Sequence, residues 1–541
     1  MVPGAARLAL AAATITLWAA LSVGVAYIGL RSNDQFERKP IAASRQSEPS
    51  VPPRAKLFPN LPEPDLVLFV TGMTHGYLQP CGCSRPQLGG LERRAELLRE
   101  VRLRGWPVSA ADLGDLPPTS TDIQSRMRFE TALQALHILG YCSVAVGRTE
   151  LLHDLERVAV TGLNYRPPVY LAGNLVAPDI QDANLLQSWI VDAPCGPPIA
   201  WCLMHSLAGV LTAPSGAGLT AGCAAPSKPL VGYLSLLSPH TARDLPATLD
   251  IPRLNDYQAA VQPAFDHWAR LGVNVRVLLF QGEVEEAKQI AERVPGFDIV
   301  VCRGYEEPSA VADRVGKTLV IGIGHKGRHV ALVGLFHDAN GRHWEYQLVP
   351  LNEAYEPSRD NPVREVLKDY VLRIYQEKLL EKYPRAAHPL QKEFPEARFV
   401  GAAACKNCHP RAYAVWESSR HSHAYDSLVT YGQPRVTLPH SGASVGSEYD
   451  PDCLRCHTTG FEHPGGFVDI KKTPHLVGNG CENCHGPASF HVANPRDPRY
   501  YVPLRLDLNQ MESRCRRCHD ADNDPHFDLY KYWPKILHGK E

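Results

Sequence analysis

Apolar and polar residues follow each other in three different patterns along the chain. The first pattern is an uncharged run from Leu8 to Leu30, bounded by Arg7 and Arg31. A helix of this length crosses a bilayer at 1.5 Å per residue. A cleaved signal peptide has a shorter apolar core followed by small residues, and Gly24-Val25-Ala26 could be cut in that way. We expect an N-terminal transmembrane helix over residues 1–31, with a cleaved signal as the alternative.

Proline, serine and charged residues replace the apolar run over residues 32–63, as in Arg45-Gln-Ser-Glu-Pro-Ser-Val-Pro-Pro-Arg54. Such a segment has too few apolar side chains to form a core, and its prolines stiffen it. The second pattern therefore predicts a linker.

Short apolar runs alternate with amphipathic helical periods over residues 64–384. Predicted strands are Leu66–Val70, Pro107–Leu113, Ser143–Val146, Val273–Phe280 and Phe297–Val301, and predicted helices are Leu88–Leu103, Arg126–Leu139, Glu283–Arg293 and Val363–Leu380. Three later runs, Thr318–Ile323, His329–Phe336 and Trp344–Val349, predict a β-rich edge with a hairpin turn at Asn340-Gly341. Alternating strands and helices indicate a layered α/β domain.

Composition adds two limits to this picture. The 541 residues suffice for two or three domains. The formal net charge is −1, which argues against a nucleic-acid partner.

Four Cys-x-x-Cys-His motifs lie in the last quarter of the chain. They comprise Cys405, Cys408 and His409; Cys453, Cys456 and His457; Cys481, Cys484 and His485; and Cys515, Cys518 and His519. In this spacing two thiols attach a haem covalently, and the adjacent histidine coordinates its iron. A zinc site needs no fixed histidine after each cysteine pair. We therefore expect four molecules of haem c in a mostly helical domain over residues 399–541.

Covalent haem attachment also predicts a compartment, because it occurs outside the cytoplasm. With Arg7 inside, the positive-inside bias places the chain on the periplasmic side of the inner membrane. If the signal is cleaved, the protein is released into the periplasm.

Seven cysteines lie outside the four motifs, and this odd number leaves at least one thiol without a partner in the chain. Cys81 and Cys83 form a Cys-Gly-Cys pair in a loop after the first strand. A structural disulfide, a soft-metal ligand pair and two thiols near a haem all remain open for them.

The middle domain resembles a known family over residues 64–355. Val70-Thr-Gly-Met-Thr-His75-Gly76, Asp112-Leu-Gly114-Asp115 and Gly147-Arg-Thr-Glu150 are similar to motifs of 5′-nucleotidase-type metallophosphoesterases. The resemblance implies a layered fold with a site for two metal ions that activate hydroxide on a phosphate ester.

Most ligands that the resemblance implies are replaced in this chain. His75 and Asp115 match ligand positions. Other residues stand at the remaining ligand positions, namely Met73, Arg148, Thr149, Gln281 and the segment from Cys302 to Tyr305. Two ligands cannot hold two metal ions, so we expect a scaffold that has lost phosphatase activity.

The C-terminal domain resembles the nitrifier tetrahaem cytochromes that receive electrons from hydroxylamine oxidation. The matching segments are Phe399 to Ala424, Asp452 to Phe461, Cys481 to His491 and Tyr532 to Gly539. This resemblance implies a compact fold, haems that stack in pairs, and a role in nitrogen metabolism.

The same resemblance implies distal ligands for three haems. They are His421 or His423, His491, and His538, while the haem on His457 has an open iron. Histidines at 440, 463, 475 and 526 also lie outside the motifs. We expect an electron carrier with redox partner proteins. An oxidoreductase acting on a small nitrogen or oxygen species at the open haem is the alternative, and an active phosphoesterase is a third, weaker interpretation.

Overall fold

The structure, a computed structural model, describes residues 51–80, 87–194, 218–220, 229–338 and 341–538, apart from positions 244, 247, 250, 251, 433, 440, 522 and 525. The predicted membrane helix, most of the linker, Cys81, Cys83 and Asn340 lie outside the described residues. Within those ranges, no helix is long and apolar enough to span a bilayer.

The first sheet of the middle domain has six strands. They are β1 (Leu66–Thr71), β2 (Val108–Asp112), β3 (Ser143–Ala145), β4 (Val169–Leu171), β14 (His329–Asp338) and β15 (Gly341–Pro350). Their order in the sheet is β15-β14-β1-β2-β3-β4. From β1 to β4 the strands are parallel, whereas β14 pairs antiparallel with both β1 and β15. Every residue of β1 is buried, as expected of a strand with neighbours on both sides and both faces covered.

The second sheet has seven strands. They are β6 (Trp189–Asp192), β7 (Gly218–Thr220), β8 (Val231–Leu237), β10 (Val275–Glu283), β11 (Ile299–Arg303), β12 (Asp313–Val315) and β13 (Thr318–Ile323). Their order in the sheet is β12-β13-β11-β10-β8-β6-β7. A separate two-stranded ladder pairs β5 (Leu175–Val176) with β9 (Arg253–Leu254).

The two sheets face each other across a core of aliphatic side chains, including Leu68, Val70, Val277 and Val301. Helices cover the outer faces of both sheets. These helices span Leu91–Leu103, Ile123–Ile138, Arg148–Leu152, Leu155–Asn164, Pro178–Asp182, Pro239–Arg243, Tyr257–Leu271, Val284–Arg293 and Val363–Gln376. The described residues of the middle domain thus form four layers, with two sheets between helices.

Short helices make up most of the C-terminal region. They span Leu379–Lys382, Pro389–Glu393, Pro410–Glu417, Ala424–Tyr431, Pro451–His457, Cys481–His485, Ser489–Ala493, Pro498–Tyr501, Leu508–Cys515 and Leu529–Ile536, with a two-stranded ladder of β16 (Val436–Thr437) and β17 (Ser444–Val445). Its apolar cluster is small and centres on Phe399, Leu454, Phe461 and Phe467.

The C-terminal region packs against the middle domain through two helices, Ile123–Ile138 and Val363–Gln376. Val445 belongs to the same apolar cluster as the inner faces of these helices. The ring of Tyr375 meets that of Tyr449 edge-on at 4.9 Å. Arg128 donates to Asp452 at 2.7 Å, directly before the second haem motif.

Two predictions for the middle domain need correction. The three late strands do not form one edge: β13 pairs in parallel with β11 in the second sheet, while β14 lies inside the first sheet beside β1. The predicted helix Leu88–Leu103 begins only at Leu91, because Gly89 and Gly90 adopt φ of 88° and 96°.

Candidate functional site

The positions that resemble a metal site lie together where parallel strands of both sheets end. His75 follows β1, Asp115 follows β2 and Thr149 follows β3, while Gln281 and Arg303 come from β10 and β11. Carboxyl ends of parallel strands share one edge of a sheet, which explains why residues distant in sequence meet here.

Asp115 is the best-held residue of this cluster. It is fully buried, and one carboxylate oxygen accepts from the backbone N–H of Thr149 at 2.8 Å. The other oxygen lies 3.4 Å from a guanidinium nitrogen of Arg303. Arg303 therefore puts a positive charge against the carboxylate that would bridge two metal ions in the resembled family. Sequence reasoning missed this role, because Arg303 stands within a motif that has lost its histidines.

Burial changes the protonation of two neighbours of Asp115. Burial and the charge of Asp115 raise the pKa of Glu150 to about 8, although its carboxylate accepts from the backbone N–H groups of Asp115, Leu116 and Gly147. Burial lowers the pKa of His75 to about 4 against the opposing effect of Asp115. At neutral pH the cluster thus contains a protonated Glu150 and a neutral His75.

The backbone of the cluster is strained. Met73, His75 and Asp115 have φ of 51°, 48° and 54°, in the left-handed region that non-glycine residues rarely adopt. Each such residue costs on the order of 1 kcal/mol or more, and strain of this kind concentrates at functional sites. Left-handed backbone thus occurs at three residues of this cluster.

The side chains of the cluster do not fit two metal ions. Gln281 is fully buried and donates to the carbonyl of Leu113, and Cys302 is buried in β11. His325, which sequence reasoning also missed, has its ring centre 5.9 Å from that of His75. Across the described residues, no group of three or more His, Cys, Asp or Glu side chains is arranged to hold a metal ion.

The second haem motif ends a short helix, the third forms one, and the fourth starts at the last residue of one. Pro451–His457 contains the second motif and is capped by Asp450, whose side chain accepts from Asp452 N–H. Cys481–His485 is the third motif itself, and Leu508–Cys515 leads into the fourth. A helical turn brings two cysteines three residues apart to one side, as attachment to a single haem edge requires.

Three of the attachment histidines face a second imidazole. Ring centres are 6.2 Å apart for His409 and His491, 6.1 Å for His519 and His421, and 6.0 Å for His485 and His538. A metal–nitrogen bond is about 2 Å long, and an imidazole centre lies roughly 1 Å further out, so two rings on one ion have centres about 6 Å apart. All three separations match this distance, and in each pair one ring belongs to a Cys-x-x-Cys-His motif.

His457 has a different environment. Its Nδ1 lies 2.6 Å from the carbonyl of Ala424 and 3.3 Å from the hydroxyl of Ser427. Among the described residues no imidazole ring faces it as in the other three motifs. His440 lies outside the described residues.

Other predicted or possible ligands are engaged elsewhere or exposed. His423, the alternative to His421, places Nδ1 3.1 Å from Asp426, in a 3-10 helix that spans Arg420–His423. The ring of His463 stacks on Phe399 at 6.0 Å. His475 and His526 are exposed.

Hydrogen bonds orient several attachment histidines. The Nδ1 of His457 and His485 face backbone carbonyls, the latter that of Leu504 at 2.8 Å, while His519 faces Asp524. Occupying Nδ1 leaves Nε2 for the iron. Burial also lowers the pKa of His421, His457 and His485, which favours the neutral imidazole that ligation requires.

Cysteines of different motifs approach one another. The Sγ atoms of Cys405 and Cys481 are within hydrogen-bonding reach, as are those of Cys456 and Cys518. Cys484 and Cys515 are close enough for their charges to interact. In the haem-loaded chain these thiols are thioethers at haem edges. Neighbouring thiols thus connect the first motif with the third, the third with the fourth, and the fourth with the second.

Residues 404–486 match the family described as cytochrome c554 and c-prime, which implies covalently bound haem c. Cytochrome c-554 of Nitrosomonas europaea is 29% identical over 141 residues, which are 23% of this chain and 58% of that protein. This chain therefore spans less than two thirds of the curated relative.

Solved structures resemble the chain over its middle part. The 5′-nucleotidase precursor of Thermus thermophilus is 19% identical and covers 57% of this chain and 59% of its own, with a TM-score of 0.45. The sulfate thiohydrolase SoxB of the same organism is 15% identical, with a TM-score of 0.44. The match covers 62% of this chain and 69% of the SoxB chain. The C-terminal region resembles the cytochrome c554 family, and the middle region resembles 5′-nucleotidases and calcineurin-like phosphoesterases.

Proposed function

We propose that this protein transfers electrons between redox proteins through four covalently bound haems, on the periplasmic side of the inner membrane. The three imidazole pairs with ring centres 6.0–6.2 Å apart carry this proposal. Two imidazoles hold an iron in six-coordinate, low-spin form, which favours electron transfer over substrate binding.

The order of the motifs supports a continuous route for electrons. The first motif is next to the third, the third next to the fourth, and the fourth next to the second. In this arrangement every haem has a neighbour close to its attachment edge. The apolar run from Leu8 to Leu30 would anchor the protein in the membrane, and the middle domain would offer a docking surface for a partner.

The choice between His421 and His423 gives a matched test of the ligand assignment. His421→Ala removes the ring opposite His519, so one low-spin signal in the electron paramagnetic resonance spectrum should become high-spin. His423→Ala removes a ring that faces Asp426 and should leave the spectrum unchanged. The assignment fails if the two variants exchange these results or if neither changes the spectrum.

His457 supports a second candidate function, the reduction or oxidation of a small nitrogen or oxygen species. Its haem would have an open position, because no described imidazole faces its ring. Such an iron binds small ligands directly. Binding of nitric oxide to one haem of the four would support this function, and exclusion of nitric oxide from the reduced protein would remove its only site.

A further inference from the structure

Asp524 sets one haem apart from the others. The Nδ1 of His519 lies 2.8 Å from a carboxylate oxygen of Asp524, whereas the Nδ1 of His457 and His485 face neutral backbone carbonyls. A carboxylate accepts the imidazole N–H more strongly than a carbonyl does, and it makes the ring a stronger donor to a metal.

The surroundings of Asp524 preserve this interaction. Its side chain is 18% exposed, so water screens the charge only in part. A turn fixes its backbone, since its N–H donates to the carbonyl of Asp520 and its own carbonyl accepts from the N–H of Phe527, both at 2.9 Å. The ring of Phe527 then stacks on His519 at 4.6 Å.

Positive charges near the fourth motif have their own partners. Arg516 lies 3.5 Å from Glu512, and Arg517 pairs with Glu462 at 2.5 Å. Each arginine within the motif is thus matched by a glutamate. Asp524 is the carboxylate that contacts the ring of His519 itself.

We propose that Asp524 is a positioning residue that lowers the reduction potential of the haem on His519. This potential would then lie below the potentials of the haems on His457 and His485. The proposal rests on the proposed electron transfer. A more strongly donating imidazole stabilises ferric over ferrous iron.

The neighbours of the haem on His519 determine where an electron from this haem can go. Cys518 is within hydrogen-bonding reach of Cys456, and Cys515 is close enough to Cys484 for their charges to interact, so a haem held by His519 would have the haems held by His457 and His485 as neighbours. It is the neighbour of the haem with the open iron. One electron supplied by a donor protein would pass from ferrous iron on His519 to ferric iron on His457, which oxidises the first, reduces the second and moves no atom. The lower potential makes this step favourable.

Asp524→Asn in the full haem-loaded chain tests the proposal. Redox titration followed by optical and electron paramagnetic resonance spectra should show one of four midpoint potentials shifted to a more positive value, together with changed g-values of one low-spin haem. Asp520→Asn is the matched control, because its carboxylate accepts from Asn523 in the same turn. It should shift the midpoint potential of the haem on His519 less than Asp524→Asn does, because its carboxylate faces Asn523 and not the ring of His519.

Four bound haems with unchanged midpoint potentials in Asp524→Asn would overturn the proposal. If that variant loads fewer haems, Asp524→Glu replaces it: it keeps the charge but displaces it, and it should shift the same single potential. Unchanged midpoint potentials in Asp524→Glu would also contradict the proposal. A wild-type protein without c-type haems would instead contradict the proposed function, so the two failures are distinguishable.

Discussion

At the scale of single residues, Arg303 and Asp115 form an ion pair in the cluster where the parallel strands end. The guanidinium lies 3.4 Å from the buried carboxylate and supplies the positive charge that a metal would otherwise provide. Met73, His75 and Asp115 keep their strained φ angles. The cluster thus combines a strained backbone with an ion pair between its own side chains.

This cluster predicts an outcome for phosphatase assays. Purified protein supplied with manganese, zinc or cobalt should not hydrolyse nucleotides or simple phosphate esters, because only His75 and Asp115 match metal-ligand positions. Turnover of a nucleotide that Asp115→Asn abolishes would show that the site still works.

Glu150 gives a prediction for pH. In the folded chain its pKa is about 8, against an ordinary value of 4.5, so between these values the folded state binds more protons than the unfolded state. Raising the pH through this range therefore lowers the free energy of unfolding, by up to about 1.4 kcal/mol per pH unit.

Glu150→Gln should flatten this dependence in unfolding experiments between pH 4.5 and 8. Glu156→Gln changes an exposed carboxylate and serves as the control. If the free energy of unfolding changes with pH equally in Glu150→Gln and in the wild type, the protonated state assigned to Glu150 is contradicted.

The helix Ile123–Ile138 of the middle domain supports the second haem motif. Arg128 reaches Asp452 at 2.7 Å, and Gln124 donates to Asp450 at 2.8 Å. Asp450 in turn caps the helix that carries the motif. The helix Ile123–Ile138 is itself capped by Asp122, which accepts from Ser125 N–H.

Arg128→Ala should therefore weaken the attachment of the C-terminal region, by about 1–2 kcal/mol for a lost charged hydrogen bond. Denaturation followed by haem absorbance measures the loss. Arg373→Ala is the control: it breaks an ion pair with Glu130 between the helices Val363–Gln376 and Ile123–Ile138, remote from the haem motifs. If Arg128→Ala and Arg373→Ala lower the stability of the haem region equally, Arg128 does not specifically support the second haem motif.

Much of this element pattern could be predicted from the sequence. The apolar run of β1 and the helix Ile123–Ile138 appear at nearly the predicted positions. Pairing was less predictable: β14 is as apolar as β13, and only tertiary contacts assign them to different sheets. Strand β8 and the helix Tyr257–Leu271 were missed.

At the sites, local motifs were readable and long-range partners were not. Four Cys-x-x-Cys-His motifs identify attachment residues from spacing alone. Asp524 and Arg303 act on His519 and Asp115 through distances that no local pattern encodes. Asp524 lies in an acidic run five residues after His519, which is a weak signal without the fold.

The whole molecule joins a layered α/β domain to a region that contains four Cys-x-x-Cys-His motifs. Because the helices at Arg128 and Tyr375 share apolar and ionic contacts with the region around Val445, the two parts pack directly against each other. The small apolar cluster of the C-terminal region implies that bound haems supply much of its buried surface.

Electron paramagnetic resonance of the oxidised protein, with its haem content known from mass spectrometry, tests the account most directly. We predict four haems, three low-spin with paired histidines and one high-spin on His457 that changes on adding nitric oxide. A purely low-spin spectrum would leave an electron carrier without an open iron. Fewer than four haems, or more than one high-spin haem, would contradict the ligand pairs on which the proposed function depends.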